Sequence, residues 1–180
     1  YSCPMEHSDA VDMLRKALMA GSTPQRWADL GCGTGTFTRV LAELLPQGTT
    51  IAAMDRDAKA LKQIPEEFGA TRIEKYVSDF VRDDIPASAL DGILLANALH
   101  FVKDQTDLIR KLIGHLSPSG VFLLVEYDMD TPSPWVPHPL SFTTLSELFH
   151  SAGFASVTRL ATRPSVFRRS QLYSALVARE

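Results

Sequence analysis

Gly31, Gly33 and Gly35 fall at alternate positions, between an apolar run that closes on Asp29-Leu30 and a helix-period run that opens at Thr36. Glycines let the main chain turn tightly and let a ligand approach it closely, and a helix that follows such a turn offers its N-terminus to that ligand. Cys32 lies inside the same turn. A nucleotide-type ligand suits this arrangement, and the spacing separates the options. Dinucleotide sites ask for G-x-G-x-x-G, whose last glycine lets helix and strand pack closely. Here the pattern is G-x-G-x-G, and Thr36 stands where that glycine would be. Asp29, just ahead of the first glycine, would also set a carboxylate against a pyrophosphate, so a cationic ligand fits better. A second acid, Asp55, ends the next apolar run. It stands about 20 residues past the turn, where nucleotide-binding α/β folds place the carboxylate that takes the ribose hydroxyls. Its other available role is to cap the next helix, which Asp57 can equally take. Arg56 adjoins Asp55 and joins the same candidate set.

The stretch DLGCGTG at 29–35 resembles the first motif of the class I S-adenosylmethionine-dependent methyltransferases, and the later motifs follow in that family's order over nearly the whole chain. The resemblance implies S-adenosylmethionine as cofactor, held by Asp29, Gly31, Cys32, Gly33, Gly35, Asp55 and Arg56. It implies that the third strand ends in an acid accepting from the adenine amino group, beside an apolar residue on the ring. Asp79 and Phe80 match in type and order, core packing being the other reading of Phe80. The resemblance also implies that NALHF, at 97–101, lines the space between the sulfonium methyl and the acceptor, with Asn97 beside the cofactor. An imidazole titrates near neutral pH and can take the acceptor's proton, which makes His100 the candidate catalytic base. A purely structural histidine is the alternative. In this family the N-terminal segment often lies over the cofactor, so residues 1–7 are candidate lid residues.

To meet at one edge, these residues need strands alternating with helices. Periodicity predicts a helix over 8–20, capped by Ser8 or Asp9 and stopped by Gly21. Strand, turn and helix follow over 27–45, ended by Pro46-Gln47-Gly48, then a second strand over 49–54 and a helix over 57–64. A third strand runs over 73–77, with Asp83 and Asp84 as solvated turn residues before Pro86. The fourth, over 91–97, is too continuously apolar for a wet face, as a central parallel strand should be. A helix over 104–116 is broken by Ser117-Pro118-Ser119-Gly120, and a fifth strand over 121–125 leads to Glu126 and Tyr127. Thr144 and Glu147 fit a capping box for a helix through Ala152, stopped by Gly153. Runs at 155–161 and 171–178 complete the sheet, with Arg168 and Arg169 in a solvated turn between them. Such alternation makes a doubly wound, mainly parallel α/β sheet. The family resemblance adds a seven-stranded, Rossmann-like sheet whose last strand is antiparallel.

Residues 128–140, DMDTPSPWVPHPL, have no periodicity and carry four prolines and one tryptophan. A connection this long in a compact domain is usually functional or disordered. It leaves the carboxyl end of a strand, where ligands of open α/β sheets lie, and its prolines lower the cost of ordering it over one. Tyr127, Trp135 and His138 are therefore the substrate-binding candidates, Trp135 pinning the loop to the core being the alternative.

A chain of 180 residues is expected to form a single domain with its own core. Its net charge of −3, with Lys and Arg scattered, leaves no electrostatic footprint for nucleic acid. No apolar run reaches membrane-spanning length, and the first residues lack a signal-peptide pattern. Cys3 and Cys32 show neither a disulfide framework nor a metal spacing, so a cytoplasmic setting and no metal are expected. The chain starts at Tyr1 rather than methionine, which points to residues removed upstream. Methyltransferases acting on adenine or glutamine amide nitrogens carry D/N-P-P-Y after the fourth strand, where this chain has Ala98 and Leu99 in place of the prolines. No cysteine of the cytosine-C5 kind and no magnesium-binding acid cluster is evident. A small organic acceptor remains, methylated by in-line displacement, in which holding both reactants together supplies much of the rate. The alternatives are a non-catalytic adenosine-binding or regulatory module, and a nicotinamide-dependent oxidoreductase, against which Thr36 and Asp29 count.

Overall fold

The computed structural model describes residues 5–18, 21–164 and 170–180. Cys3, the start of the candidate lid and Arg168-Arg169 lie outside the described residues. In chain order the elements are α1 (His7–Leu14), β1 (Arg26–Leu30), α2 (Thr36–Leu44), β2 (Thr50–Asp55), α3 (Ala58–Leu61), β3 (Glu67–Phe68), β4 (Thr71–Val77), β5 (Leu90–Ala96), a short 3-10 turn (Leu99–Phe101), α4 (Gln105–Ile113), β6 (Leu116–Tyr127), α5 (Phe142–Ser151), β7 (Ser156–Pro164) and β8 (Gln171–Ala178). The sheet order is β3-β4-β2-β1-β5-β6-β8-β7. Strands β4, β2, β1, β5 and β6 run parallel, while β8 is antiparallel to β6 and β7. The expected doubly wound sheet with an antiparallel last strand is thus present, and the two-residue β3 adds an antiparallel edge beside β4. Strand order reverses between β1 and β5, which makes the carboxyl edge there the ligand crevice of this topology.

Alternation along the central strands divides the core in two. Ile93, Leu95, Phe122 and Leu124 point to the face covered by Ile109 and Leu112 of α4 and Phe149 of α5. Leu94, Leu123 and Val125 point to the other face, against Val11 and Leu14 of α1 and Val40 and Leu41 of α2. Both faces of β5 are dry, which explains its unbroken apolar run. Among the described residues no helix is long and apolar enough to cross a membrane.

Several local expectations are corrected. Helix α1 ends at Leu14, because its buried residues fill the first two turns and exposed Arg15 and Lys16 follow. Its N-cap is Glu6, and Asp9 is spent on an ion pair with Arg163 instead of a cap. Helix α3 is a single turn, with Asp57 accepting from Lys59 N–H and Ala60 N–H. It stops short of Pro65, whose ring disfavours helix in the residue before it. Ser117-Pro118-Ser119-Gly120 lies inside β6, where the register against β5 shifts between Leu90 and Gly92. Proline and glycine here form a strand-start irregularity, the place where sheets accept them. Helix α5 is capped by Ser141, which accepts from Thr144 N–H, while the Thr144 hydroxyl donates to Asp130 at 2.8 Å.

Candidate functional site

The glycine turn is held by its own amides. Gly31 N–H and Cys32 N–H donate to Met54 O at 2.8 and 3.1 Å, Gly35 N–H to Cys32 O at 2.9 Å, and Gly33 N–H to Asp55 Oδ2 at 2.8 Å. A phosphate would find these donors already used, and beside two carboxylates. All three glycines have positive φ, which any other residue adopts only under strain. Their surroundings differ. A Cβ on Gly35 would come within 2.7 Å of Ile64, whereas one on Gly33 would meet nothing within 4 Å. On Gly31 it would stand 2.9 Å from Ala98 Cβ and 3.3 Å from the Phe80 ring. The turns after β1, β4 and β5 therefore converge at Gly31, while Gly33 borders open space.

Asp29 is buried and accepts a 2.6 Å hydrogen bond from the Thr38 hydroxyl. Burial pushes its carboxyl up to about 7, the Thr38 bond pulling the other way and the charge of Asp55 adding to the rise. Burial, with Asp29 and Asp55 nearby, also pushes the Cys32 thiol far up, so it stays neutral. Asp55 accepts from Gly33 N–H and Asp57 N–H, one on each oxygen. A carboxylate has about four acceptor positions, so capacity remains for a diol. Asp79 accepts from Val81 N–H and lies 3.9 Å from both Arg56 and Arg82. Asp83, expected to be merely solvated, accepts from the Ser78 hydroxyl and Asp79 N–H and so shapes this turn. Lys111 of α4 donates to the carbonyls of Phe80, Val81 and Asp83, closing it from the other side.

After β5 the chain turns at Asn97, which has φ +52° and a buried Oδ1 with no hydrogen-bond partner among the described residues. His100 follows in the 3-10 turn and is 2% exposed. Its Nδ1 lies 2.5 Å from Oε2 of fully buried Glu126, whose Oε1 accepts from Leu99 N–H and His100 N–H. Tyr127 meets the His100 ring edge-on at 5.8 Å. Burial and then Glu126 raise its hydroxyl above the usual phenol range. The proline-rich loop is stitched to the same turn, since His138 N–H donates to His100 O and Gln105 Nε2 donates to His138 O, both at 2.9 Å. Trp135 is 70% exposed, so it does not pin the loop; Val136 and Leu140 are the buried residues there.

A family model described as "Methyltransferase domain" matches residues 28–122, more than half of the 180-residue chain. A trans-aconitate 2-methyltransferase of an Acidovorax strain is 31% identical over 133 residues, 71% of this chain and 48% of that protein. The chain belongs to the class I S-adenosylmethionine-dependent methyltransferase family. Its cofactor is accordingly S-adenosylmethionine. A Leishmania major S-adenosylmethionine-dependent methyltransferase superposes with a TM-score of 0.73 at 17% identity, covering 94% of this chain and 72% of that one. Burkholderia thailandensis 1,6-didemethyltoxoflavin-N1-methyltransferase, with S-adenosylhomocysteine and 1,6-didemethyltoxoflavin bound, reaches 0.69 at 19% identity over 96% of this chain and 77% of its own. These two share the fold. This methyltransferase domain spans about half the length of the curated relatives it matches.

The candidates Asp29, Gly31, Cys32, Gly33, Asp55, Arg56, Asp79, Phe80 and Asn97 all lie in turns at the carboxyl edge, or at strand positions leading into them, with Gly35 turned toward Ile64. Sequence reasoning passed over Thr38, Lys111 and Glu126. For Glu126 a signal existed, since a carboxylate after LLV in an otherwise buried strand demands a partner.

Proposed function

We propose that this chain, as a single cytoplasmic domain, binds S-adenosylmethionine at the carboxyl edge of β1 and β5 and transfers its methyl group to a small-molecule acceptor. The observation that carries the reading is the cradle at Gly31 and Gly33, where three strand-end turns meet and Gly33, with open space beside its Cα, donates to a carboxylate. Asp55 would take the ribose hydroxyls, Asp79 the adenine amino group and Phe80 the ring face, with Arg56 steadying Asp79. The buried Oδ1 of Asn97, unpartnered among the described residues, needs a donor, and the cofactor's ammonium group offers one. Asp29 places negative potential below the positively charged part of the ligand. Bound there, S-adenosylmethionine would supply the methyl group, activated on a sulfonium whose departure as a neutral thioether needs no acid. The protein's part is to orient the reactants and exclude water, with Tyr127, Trp135 and His138 lining the acceptor side. A small acceptor is supported by the substrates in the names of the relative and of the structural neighbour, trans-aconitate and 1,6-didemethyltoxoflavin.

Calorimetric titration with S-adenosylmethionine and S-adenosylhomocysteine, with NADH as control, tests the cofactor half. Both adenosyl ligands should bind, and Asp55→Ala should weaken them by about 100-fold, the worth of one or two hydrogen bonds to a charged group. Binding of NADH without the adenosyl ligands overturns the proposal.

A further inference from the structure

We infer that Glu126 is a positioning residue that makes His100 the proton acceptor of the transfer, and that the acceptor is a flat, neutral hydroxyl compound of the phenol class. The inference rests on the methyltransferase reading above. Glu126 is fully buried, and all three of its hydrogen bonds come from one turn: Leu99 N–H at 2.9 Å, His100 N–H at 3.3 Å and His100 Nδ1 at 2.5 Å. The two backbone bonds hold the turn against β6. The third does something else, because a carboxylate can only accept. It puts the imidazole proton on Nδ1 and leaves the lone pair on Nε2, which has no hydrogen-bond partner among the described residues. Glu126 and Tyr127 from β6 are the titratable groups that face this ring, and from the loop the backbone N–H of His138 donates to the His100 carbonyl.

That arrangement serves an acceptor with a proton to lose. The proton passes from the acceptor hydroxyl to Nε2 as the oxygen takes the methyl group. The positive charge that began on the sulfonium then resides on the imidazolium, against the Glu126 carboxylate, until water removes the proton from Nε2. A carboxylate acceptor is already ionised and needs a cation instead of a base. The groups that meet the His100 ring are an acid and two aromatic rings, Glu126, Phe101 and Tyr127, and none of them is a cation. What the His100 turn and its loop do expose is aromatic surface, Phe101 at 59% and Trp135 at 70%, suited to a flat apolar ring.

Ring nitrogen-15 spectra of the whole chain, with His100 assigned through His100→Gln, read the tautomer without any reaction. In the wild type the neutral ring should carry its proton on Nδ1. In Glu126→Gln the amide oxygen still serves the two backbone N–H groups and the NH2 faces Nδ1, so the tautomer should reverse while S-adenosylhomocysteine affinity is unchanged. With phenol as methyl acceptor kcat should drop about 100-fold in that variant, and much less with 4-nitrophenol at alkaline pH, where the hydroxyl is already ionised. A wild-type proton on Nε2, or methyl transfer to benzoate alone or to neither class, overturns the inference. Failure of the wild type to bind S-adenosylhomocysteine instead overturns the methyltransferase reading beneath it.

Discussion

Asp29 is a buried acid at this edge. Its carboxyl is buried, bonded to Thr38 and lifted to about 7 from an ordinary value of 3.8. Between those two values the folded chain holds a proton that the unfolded chain has released. Its contribution to stability is therefore complete at low pH and is lost as pH rises through about 7. Asn can still accept from Thr38 and cannot ionise. Thermal melts of Asp29→Asn and wild type should accordingly diverge with pH, the variant gaining on the wild type from pH 5 to pH 8. The ligand side of the same residue runs the other way. Its ionised form attracts a cationic cofactor, so S-adenosylmethionine affinity should rise with pH in the wild type and stay flat in Asp29→Asn, as titrations across the same range would read. His100 and Glu126 act on a shorter range, through one hydrogen bond that selects a tautomer.

The glycine turn separates folding from binding within a single element. Gly35 faces Ile64 at a distance no Cβ tolerates, while Gly33 faces open space, and both have positive φ. Gly35→Ala combines left-handed strain with an overpacked contact and should cost about 2–4 kcal/mol in denaturant melts. Gly33→Ala carries the strain alone, about 1–2 kcal/mol, and should stay folded yet lose cofactor affinity, because its methyl group occupies the open cradle. Equal losses of stability for the two variants would contradict this division. The turn after β4 shows the same economy: Asp83 receives its N–H and hydroxyl donors and Lys111 its carbonyls, so Asp79 and Phe80 are presented by a turn closed at both ends.

Over the whole molecule, the two ends of the chain meet across one sheet face. Helix α1 packs on α2 and against β7 and β8, and the buried Ser174 hydroxyl donates to Met13 O at 2.6 Å across 161 residues of sequence. Asp9 and Arg163 pair at the same face. Ser174→Ala leaves a buried carbonyl in the last turn of α1 without its partner and should cost about 1–2 kcal/mol, read as a lowered Tm. Because α1 covers the face opposite α4 and α5, that loss should leave the His100 tautomer unchanged.

Periodicity and turn chemistry determined the order of strands and helices, the mainly parallel sheet and a glycine turn open to a ligand, because each depends on residues close in sequence, and the family resemblance supplied the expected cofactor. Residues 171–178 become β8 as read, and the dry run ending before Asn97 becomes the doubly covered β5. Tertiary structure decided what depends on distant partners. Ser117-Pro118-Ser119-Gly120 looks like a loop until pairing with β5 draws it into β6. Trp135, read as a substrate-side candidate with core anchoring as the alternative, loses that alternative once Val136 and Leu140 are seen to occupy the core. Glu126 and His100 are 26 residues apart, and only the parallel neighbours β5 and β6 bring them within one hydrogen bond. A buried carboxylate has to find its donors somewhere in the fold, and no local pattern says where.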